Sequence, residues 1–323
     1  MPDPRVSVIA SVYNVAPYVR EALDSVLAQS WTDLELIVID DGSTDDTVRE
    51  IEGIRDRRLR LLRQEHIRTA SARNAGLRQA RGRYIALMDG DDVWLPRKLE
   101  RDVAYLDGHA EVHLVFSAMR LVDEQGHDLG RTIREWSGVV ALRDLLIENV
   151  IGSDTVVMRR ESCQRIGFFD EDLGAAEDYD YWLRAALQYP GGLHGSPRIS
   201  ALYRRRPGQL TRNQELQERV WQRIIEKARL RSPQDVAAVE ARSRANFYRA
   251  MAAVDYENGV DSAFRRFRDA VGYSPGFLLK DRRTWLLGSA LLSERLLPKS
   301  LHRRLEKWAR KARIRTGPAP AAN

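Results

Sequence analysis

Residues Tyr84 to Trp94 read YIALMDGDDVW, which puts three carboxylates, Asp89, Asp91 and Asp92, within four residues at the end of an apolar run. Crowded acids repel one another, and their oxygens are hard ligands, so a bound divalent cation would relieve the repulsion. A solvated acidic turn has the same local pattern, and a D-x-D alone does not separate the two. Two more acidic pairs stand at comparable points. Asp40-Asp41 closes the apolar run Leu34 to Ile39, and Glu177-Asp178 precedes Trp182, Leu183, Ala186 and Leu187 at helical spacing. Carboxylates of this kind can hold a metal, accept hydrogen bonds from a ligand, or take a proton as a general base.

Strand and helix patterns alternate through the first ~110 residues and would bring these acids together. Val6 to Tyr13, Leu34 to Ile39, Leu59 to Leu62 and Tyr84 to Met88 read as short buried strands. Between them, Val19, Ala22, Leu23, Val26 and Leu27 recur at helical spacing, as do Ala72, Ala75, Leu77 and Ala80. Thr44 is the expected N-cap of a helix through Val48 and Ile51, and Pro96 is expected to open a helix with Leu99, Val103 and Leu106 on one face. This βαβα order predicts an α/β fold, a mostly parallel sheet with helices on both faces. Ligands bind such sheets beyond the carboxyl ends of the strands, where Asp40-Asp41 and Asp89 to Asp92 fall. Further strands are expected at Val112 to Met119, Thr155 to Met158 and Ile199 to Tyr203, a polar turn at Asp123 to Gly130, and a helical piece from Leu142 to Val150. From about Gln214 the periodicity is helical only. The expected organisation is a catalytic domain over 1–212, a helical region over 213–315 and a disordered tail over 316–323.

Composition narrows the function. With 52 basic and 46 acidic residues the net charge is +6, yet Lys299 to Arg315 alone holds eight basic residues and one acid. The excess belongs to a tail and argues against a nucleic-acid-binding core. The single Cys163 excludes an internal disulfide and fits a reducing cytoplasm. The N-terminal residues have no signal-peptide pattern, and no uncharged apolar run reaches the roughly 18 residues of a spanning helix. Neither G-x-G-x-x-G after the first strand nor a P-loop is present, which argues against dinucleotide dehydrogenases and P-loop enzymes. A nucleotidyltransferase would need a Gly-rich basic loop where the chain has Val12 to Pro17.

The ordered set VSVIASVYN, LIVIDDGSTDDT, SARNAGLRQARGRYIALMDGDD and GAAEDYDYWLR resembles glycosyltransferase family 2 from about Arg5 to Thr211. The resemblance implies a GT-A fold and inverting transfer from a nucleotide-diphosphate sugar. It implies that Ser11 and Tyr13 line the nucleotide site and that Asp41, beside Asp40, accepts a hydrogen bond from the base, uracil in the commonest donors. It implies that Arg68 and Asn74 hold the base or ribose and that Asp89 faces the ribose. Asp91 would hold Mn²⁺ or Mg²⁺ on the diphosphate, with Asp92 as second ligand or support. Asp178 would be the catalytic base and Glu177 would position the acceptor, a saccharide or a lipid-linked sugar.

Some residues keep two readings. Arg73 either pairs with an acid on its helix or contacts the phosphate or base, and Glu177 either complements a helix N-terminus or touches the acceptor. Trp94 and Trp182 read as core, and His66 and His113 as structural. The chain departs from the family at Arg206, which stands where many members have a metal-binding histidine. That puts the metal's ligand set in question and offers a direct contact to the diphosphate instead. The processive Gln-x-x-Arg-Trp is not matched, so addition of a single sugar in cell-surface polysaccharide synthesis is expected. The alternative is a silent nucleotide-sugar-binding module acting through its helical tail. Leu297, Leu301, Leu305, Trp308 and Ala312 form an apolar stripe among the basic residues, so 296–314 is expected to lie as a helix on an anionic membrane surface at the inner face.

Overall fold

The computed structural model describes residues 3–206, 209, 214–298 and 301. In chain order the strands are β1 (Val6–Val12), β2 (Leu34–Asp40), β3 (Leu59–Arg63), β4 (Tyr84–Asp89), β5 (Val93–Trp94), β6 (Leu114–Val122), β7 (Asp128–Ile133), β8 (Gly138–Val139), β9 (Val157–Arg159) and β10 (Leu193–Arg204). The helices are α1 (Ala16–Leu27), α2 (Thr47–Glu52), α3 (Thr69–Gln79), α4 (Lys98–Gly108), α5 (Leu142–Ile147), α6 (Arg160–Ile166), α7 (Glu177–Gln188), α8 (Gln214–Arg231), α9 (Pro233–Glu257), α10 (Ala263–Tyr273), α11 (Pro275–Leu278) and α12 (Arg282–Leu296). A 3₁₀ turn spans Ser153–Thr155.

All strands join one sheet in the order β3-β2-β1-β4-β9-β6-β10-β5, with β7 on β6 and β8 on β10. The first four are mutually parallel, β10 runs parallel to β6, and β9 is antiparallel to both its neighbours. Strands buried on both faces are mostly apolar, which is why β1, β2 and β4 read as nearly continuous hydrophobic runs, broken by Ser7 and Glu35. Alternate side chains serve opposite faces. Val8, Ala10, Leu36, Val38, Ala86 and Met88 join the core shared with Val19 and Leu23 of α1 and Leu99 and Val103 of α4. On the other face, α3 comes so close that a Cβ on Gly76 would stand 2.3 Å from Ile9 Cγ2. Register places Ser11 beside Asp89 and Val12 beside Asp40. The parallel pairing of three strands therefore aligns their acidic ends.

Several local expectations are corrected. Thr44 caps no helix, because α2 begins at Thr47 and the Asp45 carboxylate accepts the Thr47 N–H. The helix expected at Pro96 begins at Lys98, after the short strand β5. The polar segment after β6 forms the edge strand β7 as well as a turn. β10 starts at Leu193, six residues before the apolar stretch, through register shifts against β6 that absorb Pro197.

The chain divides into two compact units, Met1–Leu145 with Asn149–Asp235, and Leu146–Glu148 with Val236–Asn323. Helix α8 falls in the first, where Lys227 pairs with Asp170 and with Asp180, at 2.5 and 2.6 Å. The second is built from α9 to α12. In it Ala252, Ala263, Leu287 and Leu291 form a small core flanked by Phe264 and Phe267. Among the described residues, no helix is long and apolar enough to cross a membrane. The helix expected over 296–314 lies outside the described residues apart from 296–298 and 301, as does the tail over 316–323. Residues 207, 208 and 210–213, which follow the Arg206 segment, are also outside them.

Candidate active site

The carboxyl ends of β1, β2 and β4 carry the first group of side chains. Ser11 Oγ donates to Asp89 Oδ1 at 3.3 Å. Asp89 also accepts from Arg73 Nη2 at 2.9 Å, and its own N–H donates to Asp154 Oδ1 at 2.7 Å. Arg73 is 4% exposed and gives its other terminal nitrogen to Glu177 Oε1, also at 2.9 Å. Its guanidinium lies 5.6 Å from the Phe169 ring. A planar guanidinium can serve two carboxylates at once, so Arg73 joins the end of β4 to the start of α7. Its partners come from other elements, not from an acid on its own helix.

Helix α7 starts abruptly after Ala176, whose φ of 50° is left-handed. That conformation costs a non-glycine residue roughly 1–2 kcal/mol, and here it turns Glu177 and Asp178 into the site. Glu177 is buried. Burial raises its pKa, the Arg73 charge opposes that rise, and the neighbouring Asp178 adds to it. Asp178 is half-buried and accepts from Ser153 Oγ at 3.0 Å. Ser153 and Asp154 belong to the 3₁₀ turn before β9, so one short turn supports both Asp178 and Asp89. Neither residue stood out in the sequence. Their signal is the polar run Ser153-Asp154-Thr155 directly before the apolar Val156 to Met158, where each side chain becomes buried.

The other acids divide into two settings. Asp91 is 13% exposed at its side chain and pairs with Arg206 at 2.6 Å. Burial pushes its pKa up, the Arg206 charge opposes that, and Asp89 adds to it. Asp92 is 1% exposed. Its Oδ1 accepts the Arg204 N–H at 2.9 Å, and its Oδ2 is buried with no hydrogen-bond donor. Burial and the nearby charges of Asp154 and Asp91 hold Asp92 far above the ordinary carboxylate range. Through the Oδ1 bond Asp92 braces the Arg204 backbone. Arg204, part of a basic run in the sequence, is a buried hub. It reaches the Asp91 and Glu124 carbonyls at 3.0 and 2.8 Å and the Glu21 carboxylate at 2.6 Å.

On the β2 side, Asp41 is enclosed by the segment after β3. Its Oδ1 accepts from Gln64 Nε2 at 2.7 Å and from the Ile67 N–H at 3.0 Å, and His66 Nδ1 lies 2.9 Å from its Oδ2. The His66 ring stacks on Tyr13 with centroids 4.0 Å apart, so His66 belongs to this site too. Asp40 is fully buried and accepts the Ser43 N–H at 3.1 Å. Arg68 is exposed and lies over Gly174, where an added Cβ would meet its Nη1 at 2.3 Å. Asn74 is hydrogen-bonded within the chain. Its amide accepts the Phe169 N–H at 2.8 Å and donates to the Phe169 carbonyl at 2.9 Å and to Glu171 at 2.7 Å. With its amide so engaged, Asn74 pins the loop before α7. Trp94 and Trp182 are core, and His113 bonds Ser162 at 2.9 Å.

Asp91 is the member of this acid cluster that would hold a cation. Asp91 is the partly open member, and its Oδ2 is the atom facing Arg206. Among the described residues, no three acid, histidine or cysteine side chains form a ready metal cage. Ligands would have to come from a bound phosphate as well, as is usual for Mg²⁺.

Residues 7–167 match the family model described as glycosyl transferase family 2. An uncharacterized glycosyltransferase of Rickettsia prowazekii is 33% identical over 188 residues, 56% of this chain and 58% of that protein. An uncharacterized protein of Mycobacterium tuberculosis is 34% identical over 206 residues, 62% of this chain and 58% of that one. The chain thus spans little more than half the length of these relatives. Among solved structures, S. aureus TarS 1-349 in complex with UDP has a TM-score of 0.61 at 22% identity, over 84% of this chain and 81% of that one. The mannosyltransferase PcManGT from Pyrobaculum calidifontis, in complex with GDP-Man and Mn²⁺, has a TM-score of 0.58 at 22% identity, over 97% and 85%. These likenesses show a GT-A-type α/β fold. The match to the family model and to the glycosyltransferase relatives shows that the chain belongs to glycosyltransferase family 2.

Proposed function

We propose that the protein transfers a single sugar, with inversion, from a nucleotide-diphosphate sugar to a hydroxyl of a saccharide or lipid-linked acceptor in cell-surface polysaccharide synthesis. The carrying observation is Arg73, which bonds a donor-side carboxylate, Asp89, and an acceptor-side one, Glu177, in the same site. The solved neighbours bound to UDP and to GDP-Man support a nucleotide donor. Tyr13, with His66, offers an aromatic face to the base, and Asp41 exchanges one of its contacts with the 64–67 segment for a base N–H. Ser11 and Asp89 face the ribose, Asp40 braces Asp41, and Arg68 stands at the rim. Asp178 takes the proton of the acceptor hydroxyl as that oxygen attacks the anomeric carbon. Ser153 keeps it oriented, and Glu177, held by Arg73, positions the acceptor.

Departure of the nucleoside diphosphate builds negative charge beside Asp91. A Mn²⁺ or Mg²⁺ ion held by Asp91 and the diphosphate would offset that charge. Arg206, already at Asp91, adds a fixed positive group there. Holding donor and acceptor in line supplies much of the remaining acceleration.

A panel of UDP- and GDP-sugars, each with Mn²⁺ or Mg²⁺, tests the reading by thermal shift. A ligand at 100 times its Kd stabilises the native state by about 2.7 kcal/mol, so the true donor gives a shift of several degrees. A panel in which no nucleotide sugar raises the melting temperature contradicts the proposal.

A further inference from the structure

Helix α12 has two apolar faces. Thr284, Leu287, Gly288 and Leu291 are buried on one, against Phe264 and Phe267. About a third of a turn away, Trp285, Ser289, Leu292 and Leu296 follow one another at i, i+4, i+7 and i+11 along a single stripe. Three of these are large apolar side chains in the open, with Trp285 61%, Leu292 51% and Leu296 76% exposed. Leu279, just before the helix, is 50% exposed. Exposed apolar residues are ordinary singly, but a contiguous stripe marks a surface that something covers.

The polar atoms on this stripe are already satisfied within the chain. Trp285 Nε1 donates to the Leu279 carbonyl at 2.8 Å, and Ser289 Oγ donates to the Leu286 carbonyl at 3.0 Å. A surface with no unpaired donor can enter an apolar medium without the penalty of an unmade hydrogen bond. Its surroundings are cationic. Lys280 and Arg282 are exposed at the start of α12. The sequence that follows, 299–315, carries eight basic residues and one acid. Apolar side chains with a tryptophan, flanked by basic residues, suit the headgroup region of an anionic bilayer. A nucleic acid would match the charge but leave the stripe in water.

We propose that the outward face of α12 is a membrane-binding surface that lies flat on an anionic bilayer, with Trp285, Leu292 and Leu296 as its inserting side chains. The basic residues draw the chain to the surface and the stripe holds it there. The proposal is independent of the sugar-transfer chemistry, and its readout is binding alone.

The test is flotation of the full chain with vesicles of phosphatidylcholine, with and without phosphatidylglycerol. The full chain floats with anionic vesicles at low salt, less so as salt is added, and not with neutral ones. The variant Trp285→Ser/Leu292→Ser/Leu296→Ser loses partitioning on the order of 1,000-fold or more, since each removed side chain forfeits most of a buried apolar group. In a second measurement, brominated anionic lipids quench the fluorescence of the full chain more than that of Trp285→Phe. Failure of the full chain to float with anionic vesicles overturns the proposal. So does a folded triple variant that floats like the parent, or equal quenching of the full chain and Trp285→Phe. A concentration-dependent dimer that the triple variant abolishes, without flotation of the parent, assigns the stripe to a second copy instead.

Discussion

Arg73 and Glu177 are 104 residues apart in sequence and joined by a 2.9 Å charged hydrogen bond inside the protein. The same guanidinium holds Asp89 at 2.9 Å, so the end of β4 and the first turn of α7 share one buried cation. Burying Arg73 and Glu177 is costly, and the cost is offset only while the set with the partly exposed Asp89 is complete. Arg73→Ala leaves two carboxylates without their partner and should destabilise the protein by about 3–5 kcal/mol. Arg73→Lys, which lacks the planar fork, should recover only part of this. Urea denaturation measures both, and Arg73→Ala combined with Glu177→Gln should cost less than the sum of the two single changes.

At the opposite end of the strands, Glu35 tests the packing of the sheet by pH. Burial alone would raise its pKa. Hydrogen bonds from Ser7 and Arg81, with the Arg81 charge, more than cancel this and hold it below its ordinary 4.5. The folded-state value lies below the unfolded one, so the unfolded chain binds the proton more readily. The stabilisation is complete above pH 4.5 and is lost as pH falls from there through the folded value. Glu35→Gln should lower stability at pH 7 and flatten its decline between neutral pH and acid. Denaturant midpoints over that range check it, and parallel curves for parent and variant would contradict it.

Asp91 and Arg206 bear on the metal. Asp91→Ala should leave a cooperatively folded protein, because Asp91 is at a strand end and only partly buried. It should remove any Mn²⁺-dependent rise in donor affinity. Arg206→Ala removes the cation that competes for Asp91 Oδ2 and should tighten Mn²⁺ binding. Chelation should abolish transfer by the parent. Calorimetric Mn²⁺ titrations in the presence of the donor nucleotide distinguish the variants. Identical titrations for all three proteins would remove Asp91 from the metal site.

Much of this architecture was legible in the sequence, for a physical reason. Strands β1, β2 and β4 are buried on both faces, so their apolar runs are nearly continuous and the acids that close them stand out. The edge strand β7 and the first half of β10 are largely solvent-facing, so neither shows such a run. Thr44 has the right residue type for a cap, yet Asp45 takes the Thr47 N–H, and no propensity separates these neighbours. Within the site, the acids Asp89, Asp91 and Glu177-Asp178 were visible because acids gather there. The groups that hold them were not. Arg73, Ser153, Asp154 and Arg204 find their partners in distant parts of the chain, and nothing local in sequence records those pairings. The same holds for Asn74, whose bonds to Phe169 join positions 95 residues apart.

The central claim is that Asp178 removes the acceptor proton while a separate set of residues binds the donor. Asp178→Asn tests it most directly, because the amide keeps the shape and can still meet Ser153 but cannot take a proton. The account predicts an unchanged thermal shift with the donor and turnover lowered by a factor on the order of 10²–10⁴, the common range for a lost general base. An Asp178→Asn enzyme that transfers sugar at the parent's rate would contradict it.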